Sequence, residues 1–322
     1  MVINFVCNQK ELKKVKSEEI KNYLKKRANN IWINISHASN EEVNILKEVF
    51  KIHPTTIEDI FSQQTPVKHE EFEEYKVIIF KGIKEVKKTS ITTYDIAFVI
   101  GDNFLITVNE NGSEAIAELS KNEKRVENLL KRGKGYIVHH IIDKEVDRYL
   151  KIKTGLNEDV RQIEREFMKS QGKETLTKVY SKELNFLDLR HLSESITDLC
   201  SHLTKPSESK IETGLIPYFK DVYDHALKTA EGYKSMLERI NEMEEMHATM
   251  TSMRTNDAMR SLTIIMALMM PLTIITGFFG MNVKLPFQDN PLAAPVIFVS
   301  LIVSAILMIV ISRKAGWISK KE

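Results

Sequence analysis

A chain of 322 residues holds one or two domains, and a net charge of only +2 argues against a nucleic-acid-binding protein. Its two cysteines, Cys7 and Cys200, lack the spacing of a metal site and suit a reducing compartment. The sequence also lacks a glycine-rich phosphate loop, a His-Glu-x-x-His motif and a Cys-x-x-Cys motif, so an enzyme is not expected.

Strand and helix patterns alternate at the start of the chain. Residues 32–35 alternate apolar and polar side chains, as a half-buried strand does. A capping sequence at residues 39–42 precedes a helix whose apolar positions extend to Phe50. A second short helix is expected directly after Pro54, and it carries Asp59.

Three runs of β-branched and aromatic residues follow, at residues 75–83, 91–100 and 104–109. The last two flank Gly101-Asp102-Asn103, which is typical of a hairpin turn. These runs predict an antiparallel sheet with some helices, within an α+β domain over residues 1–135.

Beyond the predicted sheet, the apolar period becomes helical. Ile116, Leu119, Val126 and Leu130 fit one helix, which ends at the basic turn of residues 131–135. We interpret this turn as a helix end with a glycine stop rather than as a phosphate site.

Two longer helical patterns, at residues 136–168 and 173–203, predict an antiparallel hairpin. Its acidic faces are either matched by Lys and Arg at helical spacing or form a surface that concentrates cations. The acids that crowd the first of these helices are Asp143, Glu145, Asp147, Glu158, Asp159, Glu164 and Glu166.

The last quarter of the chain contains two uncharged apolar runs, residues 262–279 and 293–311. Each approaches the roughly 20 residues that a helix needs to cross a bilayer. Two such runs after a highly charged segment are difficult to bury in a soluble fold. We therefore expect two transmembrane helices, with a buried helical hairpin as the alternative.

Basic residues flank the outer ends of these runs, whereas the loop between them carries only Lys284. Arg260 precedes the first run and Arg313 follows the second. The positive-inside rule then predicts that both termini are in the cytoplasm and that the loop is outside. We expect the chain in the cell (inner) membrane.

A very long helix is expected to connect the soluble and membrane parts. No proline interrupts the pattern between Pro217 and Pro271, so a helix that continues to Phe279 would be roughly 95 Å long. A rod of this length needs partners, and we expect parallel copies around an axis. The predicted parts are a cytoplasmic α+β domain (1–135), an acidic helical hairpin (136–210), a stalk helix (211–261), a first transmembrane helix (262–282), an external loop (283–292), a second transmembrane helix (293–312) and a basic tail (313–322).

One face of the long helix has polar groups at its ends and apolar groups between them. A ring of copies with this face inward would form a pore, whereas a single helix would use it for packing or lipid contact. The pattern alone favours neither use. The stripe consists of Asn256, Met259, Leu262, Met266, Met270, Thr273 and Gly277.

The tripeptide Gly280-Met281-Asn282 directly follows the first apolar run, and with it the chain resembles the CorA family of magnesium transporters. The resemblance extends, in order, over nearly the whole chain. The similar segments are 32–35, 53–60, 217–225, 262–265, 270–273 and 277–282.

This resemblance implies a homopentamer in the lipid bilayer that moves hydrated divalent cations, foremost Mg2+, into the cytoplasm. Gly280, Met281 and Asn282 would form its selectivity filter, because an amide oxygen can accept hydrogen bonds from the waters that Mg2+ loses reluctantly. Thr273 and Asn256 would make polar contacts further along the pore. Apolar constrictions that gate by dewetting would be formed by Met270, Met266 and Leu262.

The resemblance also implies a regulatory Mg2+ site between subunits, with Asp59 on one side and Glu245 on the other. Two carboxylates repel each other unless a cation joins them, so high cytosolic Mg2+ would hold the ring closed. The alternative is that Asp59 caps or pairs locally and that Glu245 is a solvated charge on the stalk.

The external loop departs from the family pattern, because Asp289 is its only acid and Lys284 is basic. Attraction of cations at the pore mouth is expected to be weaker than in relatives with acidic loops. The main alternative function is the same fold with Co2+, Ni2+ or Zn2+ as the cargo. The resemblance implies that Met281 favours Mg2+ over Zn2+, because zinc-transporting relatives tend to replace this residue of the signature. A more distant alternative is a membrane-anchored signalling or scaffold protein.

Overall fold

The computed structural model describes residues 2–8, 11–26, 28–36, 40–62, 65–87, 90–110, 112–170, 173–205, 212–282 and 291–314. The chain forms two compact units, Met1–Glu244 and Glu245–Glu322, which are described one at a time. Parts of several predicted features lie outside the described residues: 206–211 at the junction of the acidic hairpin and the stalk helix, 283–290 of the external loop with Lys284 and Asp289, and the basic tail from residue 315.

The first unit is built on a sheet with strands β1 (Val2–Cys7), β2 (Leu12–Lys14), β3 (Asn30–Ile35), β4 (Lys68–Glu71), β5 (Tyr75–Val86), β6 (Ile91–Gly101) and β7 (Phe104–Val108). Their spatial order is β2-β1-β3-β7-β6-β5-β4. The expected hairpin between β6 and β7 is present, with Ile100 opposite Leu105.

The prediction of an antiparallel sheet is wrong for one pair of strands. β3 and β7 run parallel, with Trp32 opposite Leu105. Parallel neighbours need a long crossover, which here contains two helices and three strands, and no local pattern reveals such a connection. Local reasoning also missed β1, α1, β2 and β4. Of these, β2 and β4 are short and carry charged side chains.

The helices are α1 (Ile20–Leu24), α2 (Asn40–Glu48), α3 (Pro54–Phe61), α4 (Glu114–Lys121), α5 (Glu123–Arg132), α6 (Gly135–Lys169), α7 (Lys173–Leu203), α8 (Ile216–Phe279) and α9 (Ala293–Lys314). The single helix predicted to carry both Ile116 and Leu130 is in fact two, α4 and α5. Between them, Asn122 caps α5, because its side chain accepts a hydrogen bond from the Arg125 N–H at 3.0 Å.

The basic turn after α5 is a helix end, as interpreted from the sequence. Gly133 caps α5 with φ +138°, in a region that favours glycine. The guanidinium of Arg132 packs over the rings of Tyr136 and Tyr218, so this cation is occupied by aromatic contacts.

Helices cover both faces of the sheet in the first unit. On one face, Phe5, Trp32 and Phe98 pack with buried side chains of α4 to α8. On the other face, Ile33 and Val99 pack with α1, α2 and α3. The central strands are buried on both sides because both faces are covered, and the polar side chains of Asn34 and Thr107 are buried with them. The strand at residues 32–35 is therefore fully buried, and the prediction that it is half-buried is wrong.

Ion pairs account for much of the acidic face predicted on α6. Glu164 forms a two-point ion pair with Arg239 of α8. Asp159 and Glu166 lie against Lys182 and Lys178 of α7, respectively. The structure thus supports matched carboxylates rather than an unneutralised acidic surface on this helix.

Glu145 does not belong to the exposed acidic face, and its assignment there is wrong. Its side chain is 2% exposed, and it accepts hydrogen bonds from the hydroxyl groups of Tyr94 at 2.6 Å and Ser113 at 2.5 Å. Burial raises the pKa of Glu145, and the two hydrogen bonds only partly offset this effect. Helical periodicity could not reveal partners that come from a strand and a loop.

The second unit contains the C-terminal part of α8 and all of α9. Both helices have an 18-residue window that is apolar enough to cross a membrane and in which 0% of the residues are buried. Pro271 lies inside α8. Because proline has no N–H, the carbonyl of Ala267 loses its usual donor.

We expect Glu145→Ala to lower the melting temperature of the detergent-solubilised chain by about 5 °C. Removing the acceptor leaves the hydroxyls of Tyr94 and Ser113 unpaired, which costs about 2 kcal/mol. Thermal melts measure the change. Glu145→Gln retains an acceptor and should lose less, and an equal loss in the two variants would contradict this account.

The raised pKa of Glu145 also predicts a dependence of stability on pH. The folded chain holds this proton more tightly than the unfolded chain, whose carboxyl has the ordinary pKa of 4.5. Stability therefore falls as the pH rises from 4.5 through the folded-state pKa. Thermal melts across this range should show a weaker slope in Glu145→Gln than in the parent.

Candidate ion pathway and regulatory acids

The first apolar helix ends immediately before the signature tripeptide. Phe279 is the last residue of α8, and the Gly280 N–H still donates to the carbonyl of Thr276 at 2.8 Å. A Cβ at Gly280 would lie 3.0 Å from this same oxygen, so glycine suits the close approach. Met281 and Asn282 therefore follow the negative end of the helix dipole, which favours a cation.

The predicted stripe occupies the uncovered side of α8 in the second unit. Leu262, Met266 and Met270 are 56%, 53% and 64% exposed, and Thr273 is also exposed. A partly buried residue follows each of these four by two positions, which is about 200° around the helix. These partly buried residues are Ile264, Leu268, Leu272 and Ile275.

The second apolar helix is covered on one side in the same way. Its partly or fully buried residues recur at intervals of three or four, which defines one face of α9. The covered faces are used within the chain, and the stripe on α8 is left available to lipid, water or another copy. The residues on the covered face of α9 are Ile297, Leu301, Ser304, Ala305, Met308 and Ser312.

Polar groups lie at both ends of the apolar part of the stripe. The Thr273 hydroxyl donates to the carbonyl of Met269 at 2.9 Å, which leaves its oxygen able to accept a hydrogen bond from water. Asn256 is exposed on α8 before the first apolar run. The roles of these groups, and of the tripeptide, stay predictions.

The carboxylate of Asp59 is paired within its own chain. Its Oδ2 accepts a hydrogen bond from Nζ of Lys68 at 2.6 Å, and the same Nζ lies 3.0 Å from Glu70. The Thr65 hydroxyl donates to the backbone carbonyl of Asp59 at 3.0 Å. Burial lowers the pKa of Lys68, but the hydrogen bonds to Asp59 and Glu70 outweigh it, and the net shift is upward.

Glu245 begins the second unit and is exposed on α8. Its pairing with Asp59 of a neighbouring copy stays a prediction. Within the described ranges, no group of three or more His, Cys, Asp and Glu side chains is arranged to hold a metal. A divalent ion at such acids would have to keep several waters or take ligands from another copy.

Sequence reasoning did not single out Lys68. The alternation of Lys68 and Glu70 along a strand puts both charges on one face, which is the one available signal. The sequence does not indicate that this face is the one covered by α3.

The covered sheet and the exposed apolar segments of the long helix α8 and of α9 define the class. It is an integral membrane protein with a large α+β domain and a long helix. The model of the family described as "CorA-like Mg2+ transporter protein" matches residues 27–314, and the chain belongs to this family. The family predicted from the tripeptide and the other similar segments is therefore confirmed.

Two relatives and one solved structure illustrate the similarity. The chain is 26% identical to the "Cobalt/magnesium transport protein CorA" of Thermotoga maritima over 291 residues, 89% of this chain and 83% of that protein. It is 23% identical to the protein of the same name from Methanocaldococcus jannaschii, over 89% of this chain and 91% of the relative. The complete structure of the CorA magnesium transporter from M. jannaschii superposes with a TM-score of 0.80 at 21% identity and covers 99% of both chains, which confirms the fold.

Proposed function

We propose that copies of this chain form a pentameric channel that carries hydrated Mg2+ across a cell membrane into the cytoplasm. The observation that carries this proposal is the exposed stripe of α8, which leads to Gly280-Met281-Asn282 and lies opposite the partly covered face of the same helix. The number of subunits is taken from the family resemblance.

The end of α8 supplies the chemistry that a hydrated cation requires. In each copy, the last carbonyl groups of the helix and the amide of Asn282 present oxygens without a full negative charge. Such oxygens accept hydrogen bonds from the waters of Mg2+ and do not hold the ion too strongly to release it. The dipoles of several helix ends add to the attraction.

The apolar part of the stripe provides the barrier. Leu262, Met266 and Met270 cannot replace the waters of an ion, so a narrow ring of these side chains excludes a hydrated cation by dewetting. Thr273 and Asn256 would offer water-binding groups on either side. Flanking basic residues such as Arg260 and Arg313 favour cytoplasmic termini.

Asp59 and Glu245 are proposed as the acids of a regulatory Mg2+ site between neighbouring subunits. Asp59 suits a divalent ion because it is a hard oxygen donor at a partly exposed position. Glu245 supplies a second exposed carboxylate. A cation between them would relieve their repulsion and hold the closed ring together.

A second candidate cargo is Co2+, because relatives of this chain are named cobalt/magnesium transport proteins. A filter that binds the shell of waters would discriminate weakly between Mg2+ and Co2+, since it makes no direct bond to the metal. Ni2+ and Zn2+ are further alternatives that competition experiments would rank.

We expect Asn282→Ala to reduce Mg2+ flux into liposomes at least about tenfold, because the filter loses a ring of amide acceptors worth about 1.4 kcal/mol or more to the passing ion. A Mg2+-sensitive dye inside the vesicles measures the flux, and Co2+, Ni2+ and Zn2+ are added as competitors.

Asn44→Ala is the matched control, because Asn44 is an exposed amide on α2 in the first unit. The control should transport as the parent does. Parental flux in Asn282→Ala would contradict the assignment of the filter, and no flux with any of the four ions in the parent would contradict the channel itself.

We expect the double variant Asp59→Ala with Glu245→Ala to stay active at internal Mg2+ concentrations that inhibit the parent. The bridging cation loses both carboxylates, so the half-inhibitory Mg2+ concentration should rise at least about tenfold. Flux into vesicles preloaded with graded Mg2+ measures this. Inhibition identical to that of the parent would exclude the regulatory site.

Glu48→Ala with Glu238→Ala is the matched control for this experiment. It removes an exposed carboxylate from α2 and another from α8 and leaves Asp59 and Glu245 intact. Its inhibition by internal Mg2+ should equal that of the parent.

A further inference from the structure

We propose that Lys68 is a built-in counter-ion that competes with Mg2+ for Asp59 and so raises the Mg2+ concentration at which the regulatory site fills. This inference rests on the proposed regulatory role of Asp59. It adds a residue that sets the affinity of this site for Mg2+, which would otherwise depend on Asp59 and Glu245 alone.

The sheet and the loop before it hold Lys68 at Asp59. Lys68 begins the edge strand β4 and lies opposite Ile79 of β5. Ile79 belongs to the core covered by α1 to α3, so the side chain of Lys68 is on the same face as α3. The hydrogen bond from Thr65 to the backbone of Asp59 joins the end of α3 to the segment that leads into β4.

The pairing is not that of two freely moving surface side chains. The side chain of Lys68 is 24% exposed and that of Asp59 is 33% exposed, and their charged atoms are 2.6 Å apart. Two elements packed on one core present these groups to each other. Little side-chain entropy is therefore lost when this pair forms. A large loss of side-chain entropy is the usual reason why surface pairs are weak.

Mg2+ and the ammonium group need the same carboxylate. Lys68 binds Oδ2 of Asp59, and a divalent ion with its waters would use the charge and lone pairs of that group. The ammonium and the divalent cation repel each other at such a separation, so one weakens the binding of the other.

Glu70 gives Lys68 a second place to bind. It lies 3.0 Å from the same Nζ, so the ammonium keeps a carboxylate partner when it leaves Asp59. Displacement by Mg2+ is thus a shift between two partners rather than the loss of an ion pair. The arrangement keeps Asp59 paired with Lys68 at low Mg2+. The ion gains access to the carboxylate only above a threshold Mg2+ concentration.

The test uses the full-length chain in lipid nanodiscs and follows the rise in melting temperature with added Mg2+, which requires no transport. Protection from chymotrypsin over the same titration is a second measurement. In Lys68→Met, the half-maximal Mg2+ concentration should fall about fivefold, the size expected when a partly exposed ion pair no longer competes.

Three further variants define the controls. Lys68→Gln should show the same fall and replaces the methionine variant if that one does not fold. Lys68→Arg keeps the charge and should stay within about twofold of the parent. Lys14 lies on β2, the edge strand at the other side of the sheet, and its Nζ is 2.5 Å from the carboxylate of Glu123. Lys14→Met should leave the half-maximal Mg2+ concentration unchanged.

The double variant Asp59→Ala with Glu245→Ala separates failure of this inference from failure of the regulatory site. It should abolish the Mg2+-dependent rise. If it does so and Lys68→Met keeps the parental midpoint, the counter-ion role is wrong and the regulatory site stands. If the double variant keeps the parental response, the regulatory site is wrong and the role of Lys68 fails with it.

Discussion

The apolar surfaces of α8 and α9 impose the main constraint on this protein, because the second unit covers each of them only partly and on one side. Neither apolar window contains a buried residue among those described. In water such surfaces would drive aggregation, whereas in a bilayer they are matched to their solvent. The bilayer in turn demands that backbone polar groups be paired within the segment, which continuous helices achieve. The one-sided partial cover on both helices is the chain's own contribution, and other copies or lipid must supply the rest.

The first unit holds Asp59, the acid proposed for regulation, on a packed frame. Its sheet is covered on both faces, and Arg239 links α8 to Glu164 of α6 by two hydrogen bonds. Asp59 lies on a short helix that this frame supports. Its ion pair with Lys68 meets the expectation of local pairing, yet it is compatible with a regulatory role, because a lysine with a second carboxylate nearby can yield to a divalent ion.

Much of the fold could be predicted because its patterns are local. The apolar runs, the hairpin at Gly101-Asp102-Asn103 and the glycine stop at Gly133 depend on neighbouring residues, and each was found. The parallel pairing of β3 with β7 depends on residues about seventy positions apart, which no period encodes. Asn122 divides α4 from α5 although the apolar spacing continues across it, because a capping side chain can end one helix and start another without moving the buried face.

The tripeptide and the surroundings of the proposed regulatory acid Asp59 were predictable from the sequence to different extents. The tripeptide after α8 could be found because it is contiguous and follows an apolar run. Lys68 could not, since its contact with Asp59 joins an edge strand to a helix on the same side of the sheet. Glu145 was correctly placed on a helix but wrongly expected to be exposed to solvent. It is buried, because Tyr94 of the sheet lies against it and donates a hydrogen bond.

The proline within α8 has a consequence for wetting inside the membrane. Pro271 leaves the carbonyl of Ala267 without its usual donor, in a layer where hydrocarbon offers no replacement. This oxygen lies at the height of Met266 and Met270, the side chains proposed to constrict the channel. One turn of α8 thus carries a polar backbone oxygen beside two apolar side chains, and in the proposed channel this oxygen would offer water a partner next to the constriction.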